Sequence, residues 1–359
     1  MNKIFLAFPS YQVKLKSRIK LLGKFEFWNL DKIKKDEEFI KLIKAKIKPH
    51  NKNIKNNYFF GKTIDDFKKV YKKANWGILL PTYVKENYHL GSEDLFILNL
   101  YSDLFLKPIF CVNRHGIHFI NPNVDDLIRA QYHSHDKLFT NNKLIKFYKT
   151  LMPEVVNMDW HADKVSSWTR EDWRIYVVKT LFNDLEKYQR SKYITTWQKE
   201  CVDLVNFYET LLSRFKNDNG KYKIIQRIEI LLGNYYKNDF AKIRQELVKL
   251  FDYRNEFIHG SFFDRLLKET QKKAKDGNNN LTTNIDFAFL ERQTLIAKRV
   301  LILFFCIRKK FYKNKPTNSV PQIIHKSIMD IQLRLKIQKY IKQTLDLLPS
   351  LKSNRVFKN

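Results

Sequence analysis

The stretch Asn238–Gly260 reads NDFAKIRQELVKLFDYRNEFIHG, and its pattern decides the fold of the C-terminal half. Apolar residues recur in it at intervals of three, four and three: Phe240, Ile243, Leu247 and Leu250. This spacing is typical of one face of an α-helix. Asn238 or Asp239 is suited to begin the helix as its N-cap, and Gly260 is suited to end it. We therefore predict an amphipathic helix over residues 238–259 that faces a helical core.

The same periodicity predicts a core-facing position for Arg254, four residues after Leu250. A buried guanidinium is costly unless it meets an acid or an anion. Asn255 and His259 lie four residues apart and so share one helical face, while Arg254 lies about 100° round the helix from Asn255. One short segment thus offers a fixed cation, an amide and an imidazole beside a helix end.

These three side chains suit the cleavage of RNA. Histidine transfers protons near neutral pH, and arginine stabilises a phosphate through two parallel hydrogen bonds. Asn255 is suited to orient the imidazole or a phosphate oxygen. Because RNA supplies its own 2′-hydroxyl nucleophile, we expect neither a metal nor a cofactor. A structural interpretation stays open, in which Arg254 pairs with Glu209 and His259 merely ends its helix; spacing alone favours it.

The flanking sequence predicts an all-helical bundle over residues 161–348. A capping box at Thr169–Asp172 begins the first helix. Further helices are predicted at about 196–215, 223–232, 238–259, 286–311 and 321–348. We expect Lys272–Asn284 to be a polar loop and residues 349–359 to be a frayed tail.

Residues 1–160 have a different character and are predicted to form a mixed α/β domain, so the whole chain is assigned to the α+β class. Short apolar runs stand at Gly77–Tyr83, Leu95–Leu98 and Pro108–Val112. Gly116–Asn121 alternates like a half-buried strand after a turn at Asn113–Gly116. We expect this domain to sense a trigger or to present the substrate.

Composition points to a globular protein with a polyanionic partner. The chain has 359 residues, of which 44% are hydrophobic, and a formal net charge of +30. Such an excess of positive charge attracts nucleic acid, although A/T-rich coding bias explains part of the lysine content. The three cysteines give no disulfide framework, which favours the cytoplasm. The longest apolar run, Val300–Ile307, is too short for a membrane span.

Two other groups of polar residues contain potential metal ligands. The first comprises Cys111, His115 and His118, with His133 and His135 nearby, and the second comprises Asp159, His161 and Asp163. Their spacing is irregular and lacks a CxxC pair, so a strand pair and a polar interdomain turn are the favoured interpretations. No phosphate-binding or dinucleotide-binding glycine motif is present.

Residues 196–262 resemble the HEPN superfamily, and in particular its Apea-like branch. The resemblance rests on the phrase LFDYRNEFIHG at 250–260, with Arg254, Asn255 and His259 in the family's Arg-x4-His pattern. The stretch VNFYETLLSR at 205–214, which includes Glu209, is similar to the same branch. The likeness extends over about residues 165–348 and not into the N-terminal part.

The resemblance implies a metal-independent endoribonuclease whose products carry 2′,3′-cyclic phosphate and 5′-hydroxyl ends. Arg254, Asn255 and His259 would be its catalytic residues, and Glu209 would orient Arg254. It also implies a homodimer in which two motifs share a composite cleft, and a role as an anti-phage abortive-infection effector or a toxin, with an antitoxin or a phage-derived trigger as partner. The alternative is an inactive helical module that serves dimerisation or RNA binding.

Overall fold

The computed structural model describes residues 3–8, 19–21, 25–29, 76–81, 96–97, 100–101, 110–113, 116–119, 142–156, 168–188, 194–214, 220–275, 287–312 and 319–348. The chain divides into two compact units, Met1–Met152 and Pro153–Asn359. The predicted boundary after residue 160 lies slightly further along the chain, within residues that are not described.

The described strands belong to the first unit. They are β1 (Lys3–Phe8), β2 (Ile19–Leu21), β3 (Phe25–Asn29), β4 (Trp76–Pro81), β5 (Phe110–Asn113) and β6 (Gly116–Phe119). β1 to β4 form an antiparallel sheet in the order β1-β4-β3-β2, in which Phe5 is opposite Leu79. β5 and β6 form a hairpin.

The mixed α/β domain predicted for residues 1–160 stays a prediction, because most of these residues lie outside the described ranges. β4 and the β5–β6 hairpin occur where the sequence has apolar or alternating runs. The run Leu95–Leu98 differs, since Phe96 and Ile97 are helical.

The helices with defined bounds follow from residue 142 onward. They are α1 (Asn142–Val156), α2 (Arg170–Tyr188), α3 (Ile194–Leu212), α4 (Lys221–Tyr236), α5 (Phe240–Ile258), α6 (Ser261–Lys275), α7 (Phe287–Phe311), α8 (Val320–Met329) and α9 (Ile331–Leu345), with a 3-10 turn at Lys237–Asp239. Every described element between residues 168 and 348 is helical, as predicted for the C-terminal region. No described helix has both the length and the apolarity needed to cross a bilayer.

The core of the second unit is built around α3 and α7. All eight residues of the apolar run Val300–Ile307 on α7 are buried. A helix that is apolar on every side must be enclosed by other elements, and α7 contacts α3, α4 and α5 before it and α8 and α9 after it. The apolar stripe of α3 is buried at Cys201, Val205, Tyr208 and Leu212.

The predicted starts of helices are correct where a capping signal is clear. The Thr169 hydroxyl accepts a hydrogen bond from the Asp172 backbone N–H at 3.2 Å, and the Asp172 carboxylate accepts one from the Thr169 backbone N–H at 2.9 Å. This reciprocal pair is the capping box predicted before α2. Asp239 occupies the N-cap of α5 by position, but its side chain forms no capping hydrogen bond.

Two predictions in the helical region are wrong. Residues 321–348 do not form one helix, because Asp330 is extended and caps a new helix by accepting a hydrogen bond from the Leu333 N–H at 2.9 Å. Arg334 then donates to the backbone oxygens of Ser327 and Ile328 at the end of α8. The predicted polar loop from Lys272 is also wrong at its start, since α6 continues to Lys275.

A buried carboxyl group between α3 and α7 makes the stability of the bundle depend on pH. Glu200 is 5% exposed and accepts a hydrogen bond from the Thr294 hydroxyl at 3.4 Å. Burial raises the pKa of Glu200 to about 7, and the nearby carboxylates of Asp203 and Glu291 add to the increase. The folded state therefore holds this proton more tightly than the unfolded chain does.

We expect the free energy of unfolding to fall as pH rises from about 4.5 through about 7, because the folded carboxyl must then ionise in an apolar environment. Glu200→Gln should remove this slope and raise the stability at pH 8 by about 3 kcal/mol. Chemical denaturation at several pH values measures both effects, with the exposed Glu229→Gln as the matched control. A Glu200→Gln variant with the same pH slope as the parent would contradict the assignment.

Candidate active site

The candidate site lies at the C-terminal end of α5, where the helix crosses α3. The apolar stripe Phe240, Ile243, Leu247 and Leu250 is buried, as the sequence predicts. Glu246 holds α5 against α7 through two contacts with Arg292, at 2.8 and 2.9 Å, and through a hydrogen bond from Gln293 at 2.9 Å. The helix that presents the motif is thus fixed along its length before it reaches Arg254.

Arg254 is half-buried rather than enclosed, because 26% of its side chain is exposed. One guanidinium nitrogen lies 3.6 Å from a carboxylate oxygen of Glu209 on α3. A second nitrogen donates to the side-chain oxygen of Asn255 at 3.2 Å. The third, Nε, is buried without a hydrogen-bond partner among the described residues. The guanidinium is therefore oriented by two neighbours, and its two terminal nitrogens, which carry two N–H groups each, retain donor capacity for an anion.

Glu209 is a weak counter-ion for this arginine. Its side chain is 17% exposed. Burial raises the pKa of Glu209 above its usual range, although the Arg254 guanidinium acts in the opposite direction. The surroundings thus disfavour the negative charge on Glu209 even with its partner in place. A distance of 3.6 Å also exceeds that of a strong charge-assisted hydrogen bond.

His259 stands at the C-cap of α5, and its side chain is exposed. Its backbone N–H donates to the Asn255 carbonyl at 3.0 Å, which places the two side chains one helical turn apart, about 5–6 Å between Cβ atoms. Gly260 follows with a φ of +73°. This left-handed conformation ends α5 as predicted, and the chain enters α6 at once.

The structure therefore brings Arg254, Asn255 and Glu209 into mutual contact through the guanidinium. His259 lies on the next turn of the same helix, with its imidazole open to a ligand. Chemically, this end of α5 can bind an oxyanion through Arg254 and Asn255 and can transfer a proton through His259. The partly exposed Arg254 is also consistent with an ordinary surface ion pair to Glu209.

A cluster of aromatic rings supports this end of α5, and the sequence analysis did not identify it. Its members are Trp197 on α3, Tyr253 and Phe257 on α5, Phe262 on α6 and Phe289 on α7. The ring centroids of Phe257 and Phe262 are 4.3 Å apart, across the turn at Gly260. The signal was available as Phe262, Phe263 and Leu266 at helical spacing after the glycine.

Of the two groups of polar residues at 111–135 and 159–163, only Cys111 and His118 lie among the described residues. Cys111 and His118 are register partners across the β5–β6 hairpin. The other candidates, His115, His133 and His135 together with Asp159, His161 and Asp163, lie outside the described residues. Within the described part of the chain, no three His, Cys, Asp or Glu side chains are grouped so that they could hold a metal ion.

Comparison with known proteins adds no identification. No protein-family profile, no curated protein and no solved structure matches the chain.

Proposed function

We propose that this chain is a metal-independent endoribonuclease of the HEPN type, with Arg254, Asn255 and His259 as its catalytic residues. The observation that carries the proposal is the state of Arg254. It occupies a core-facing register of α5, yet it remains partly exposed beside a weak counter-ion, and the exposed His259 ends the same helix five residues later. A cation in that position is suited to the reversible binding of an anionic ligand.

In the proposed reaction the 2′-oxygen attacks the adjacent phosphorus while the bond from phosphorus to the 5′-oxygen breaks. The 2′-hydroxyl proton passes to a base, and a proton is delivered to the departing 5′-oxygen. His259 serves one of these two transfers, and Arg254 stabilises the charge on the phosphorane. Asn255 positions the Arg254 guanidinium relative to the phosphate, and Glu209 on α3 orients Arg254. The products carry 2′,3′-cyclic phosphate and 5′-hydroxyl ends.

We further propose that the active form is a homodimer with a composite cleft, so that one His259 acts as base and its counterpart as acid. The setting would be the cytoplasm, where the protein acts as an anti-phage abortive-infection effector or a toxin under the control of a phage-derived trigger or an antitoxin. The N-terminal domain would sense that trigger or present the RNA. The support for these roles is the resemblance at residues 250–260 together with the net charge of +30.

Incubation of the intact protein with RNA in the presence of EDTA tests the activity. We expect cleavage that leaves 5′-hydroxyl ends, which polynucleotide kinase labels without prior dephosphorylation. A single 2′-deoxy nucleotide at the cleaved position should block that cut, because it removes the nucleophile. Mapping RNA ends in cells after controlled expression, with His259→Ala as the control, covers the case in which a trigger is required. RNA cleavage that stops in EDTA would contradict the mechanism.

The second candidate is a helical module for dimerisation or RNA binding without catalysis. The ion pair between Arg254 and Glu209 favours it, because a structural role explains that contact equally well. The same incubation separates the two functions, since RNA binding without cleavage, in the tube and in cells, supports the module.

A further inference from the structure

Helix α6 begins two residues after His259 and is strongly amphipathic. At about 100° per residue, five residues fall on one face of the helix: Phe262, Phe263, Leu266, Thr270 and Ala274. Phe262 is buried and joins the aromatic cluster of α5, with its ring close to those of Trp197 and Phe257. Phe262 therefore anchors the start of α6 to the end of α5.

The opposite face of α6 is basic. It carries Arg265, Lys268, Lys272 and Lys275, spaced three, four and three residues apart. Lys268 and Lys272 are exposed, and 35% of the Arg265 side chain is exposed. The helix contains five basic residues against two acidic ones, Asp264 and Glu269. We call these four positions the basic stripe; from first to last it extends about 15 Å along the helix axis.

The basic stripe starts beside the candidate active site. Arg265 forms an ion pair with Glu256 at 2.9 Å, and Glu256 lies on the turn between Asn255 and His259. The Arg265 guanidinium also lies 5.0 Å from the ring centroid of Tyr253, the residue before Arg254. These contacts fix the first cation of the stripe to the helical turn that bears the motif, and Lys268 and Lys272 continue away from it.

We propose that α6 is the binding track for the RNA strand that continues from the scissile phosphate, a proposal that rests on the function proposed above. Lys268 and Lys272 contact neighbouring phosphates of an extended single strand, because their spacing is one helical turn. Arg265, whose guanidinium lies 5.0 Å from the Tyr253 ring centroid, presents a planar cation on which a base can stack. The contacts are to the backbone, so the track favours single-stranded RNA without selecting a sequence.

The test measures binding of a fluorescent single-stranded RNA to the full chain in the His259→Ala background, which prevents cleavage during the titration. Lys268→Gln with Lys272→Gln should weaken binding about tenfold at moderate salt. The slope of log affinity against log salt should become shallower by about 1.4, because each phosphate contact to a single strand contributes about 0.7. The matched control is Lys336→Gln with Lys339→Gln, two exposed lysines about one turn apart on α9.

The control pair should leave both affinity and salt slope unchanged. Equal loss of RNA affinity in the two double variants would contradict the proposed binding track, because diffuse charge attraction would then explain the binding. Unchanged RNA affinity in the α6 variant would contradict it as well. In the cleaving protein, the α6 variant should raise KM about tenfold and leave kcat unchanged. Cleavage by the parent with no specific α6 effect defeats this inference alone. A specific α6 binding loss in a protein that never cleaves RNA defeats the nuclease proposal and leaves the track standing.

Discussion

Arg254→Lys is expected to reduce RNA cleavage by a factor of about 100 to 1,000, the usual cost of losing one preorganised donor to a developing oxyanion. Lysine keeps the positive charge opposite Glu209 but loses the planar fork that contacts Glu209 and Asn255 at the same time. The change therefore separates geometry from charge. Single-turnover kinetics on a defined RNA measure the effect on the chemical step directly.

Arg244→Lys is the matched control, because Arg244 is an exposed arginine on the same helix. It should cleave RNA at the parental rate. The thermal unfolding midpoint of Arg254→Lys should stay close to that of the parent, since an ion pair with Glu209 remains possible in the variant. A fully active Arg254→Lys protein would show that the guanidinium is only a structural cation.

His259→Ala is expected to lower the rate of cleavage by a factor of about 100 to 10,000, the contribution usual for a positioned general acid or base. The imidazole is exposed at the end of α5, so its removal should change the free energy of unfolding by less than about 0.5 kcal/mol. His259→Ala should thus lower the rate of cleavage without a comparable change in the free energy of unfolding. RNA cleavage and chemical denaturation on the same preparations measure both.

Chemical rescue distinguishes proton transfer from a local structural role of His259. Free imidazole should restore part of the activity of His259→Ala in proportion to its concentration, because it can occupy the open space and carry the proton. Ser261→Ala, at an exposed position on the other side of Gly260, serves as the control and should need no rescue. Parental activity in His259→Ala would remove the residue from the mechanism.

The sequence predicts the bundle well where the physical signal is local. The capping box at Thr169 and the stripe of α5 each depend on residues within a few turns of one another, and both appear as expected. The contact between Arg254 and Glu209 matches the structural interpretation of the sequence, in which the core-facing Arg254 pairs with Glu209. Local sequence patterns are therefore sufficient to predict the helices of the bundle. The positions of two residues relative to the apolar stripes are sufficient to predict one ion pair.

The errors in the predicted helix boundaries arise at single residues that are compatible with two different continuations of the chain. Gly260 has the positive φ that ends a helix, but such a residue can equally form an elbow between two helices, and the apolar residues after it determine which. Asp330 suits both the surface of a continuous helix and the N-cap of a new one. The aromatic cluster joins α3, α5, α6 and α7, so its contacts depend on tertiary packing that no short window of sequence contains.

The enclosure of α7 also constrains the order in which the protein can mature on the ribosome. The helices α3, α4 and α5 leave the exit tunnel before the segment Val300–Ile307 that they surround, so a nascent chain that ends before α7 has no central helix for them to enclose. We expect the parts of these helices that contact α7 to stay uncovered until Phe311 has emerged. The bundle should therefore close only after the residues of the candidate site have been synthesised.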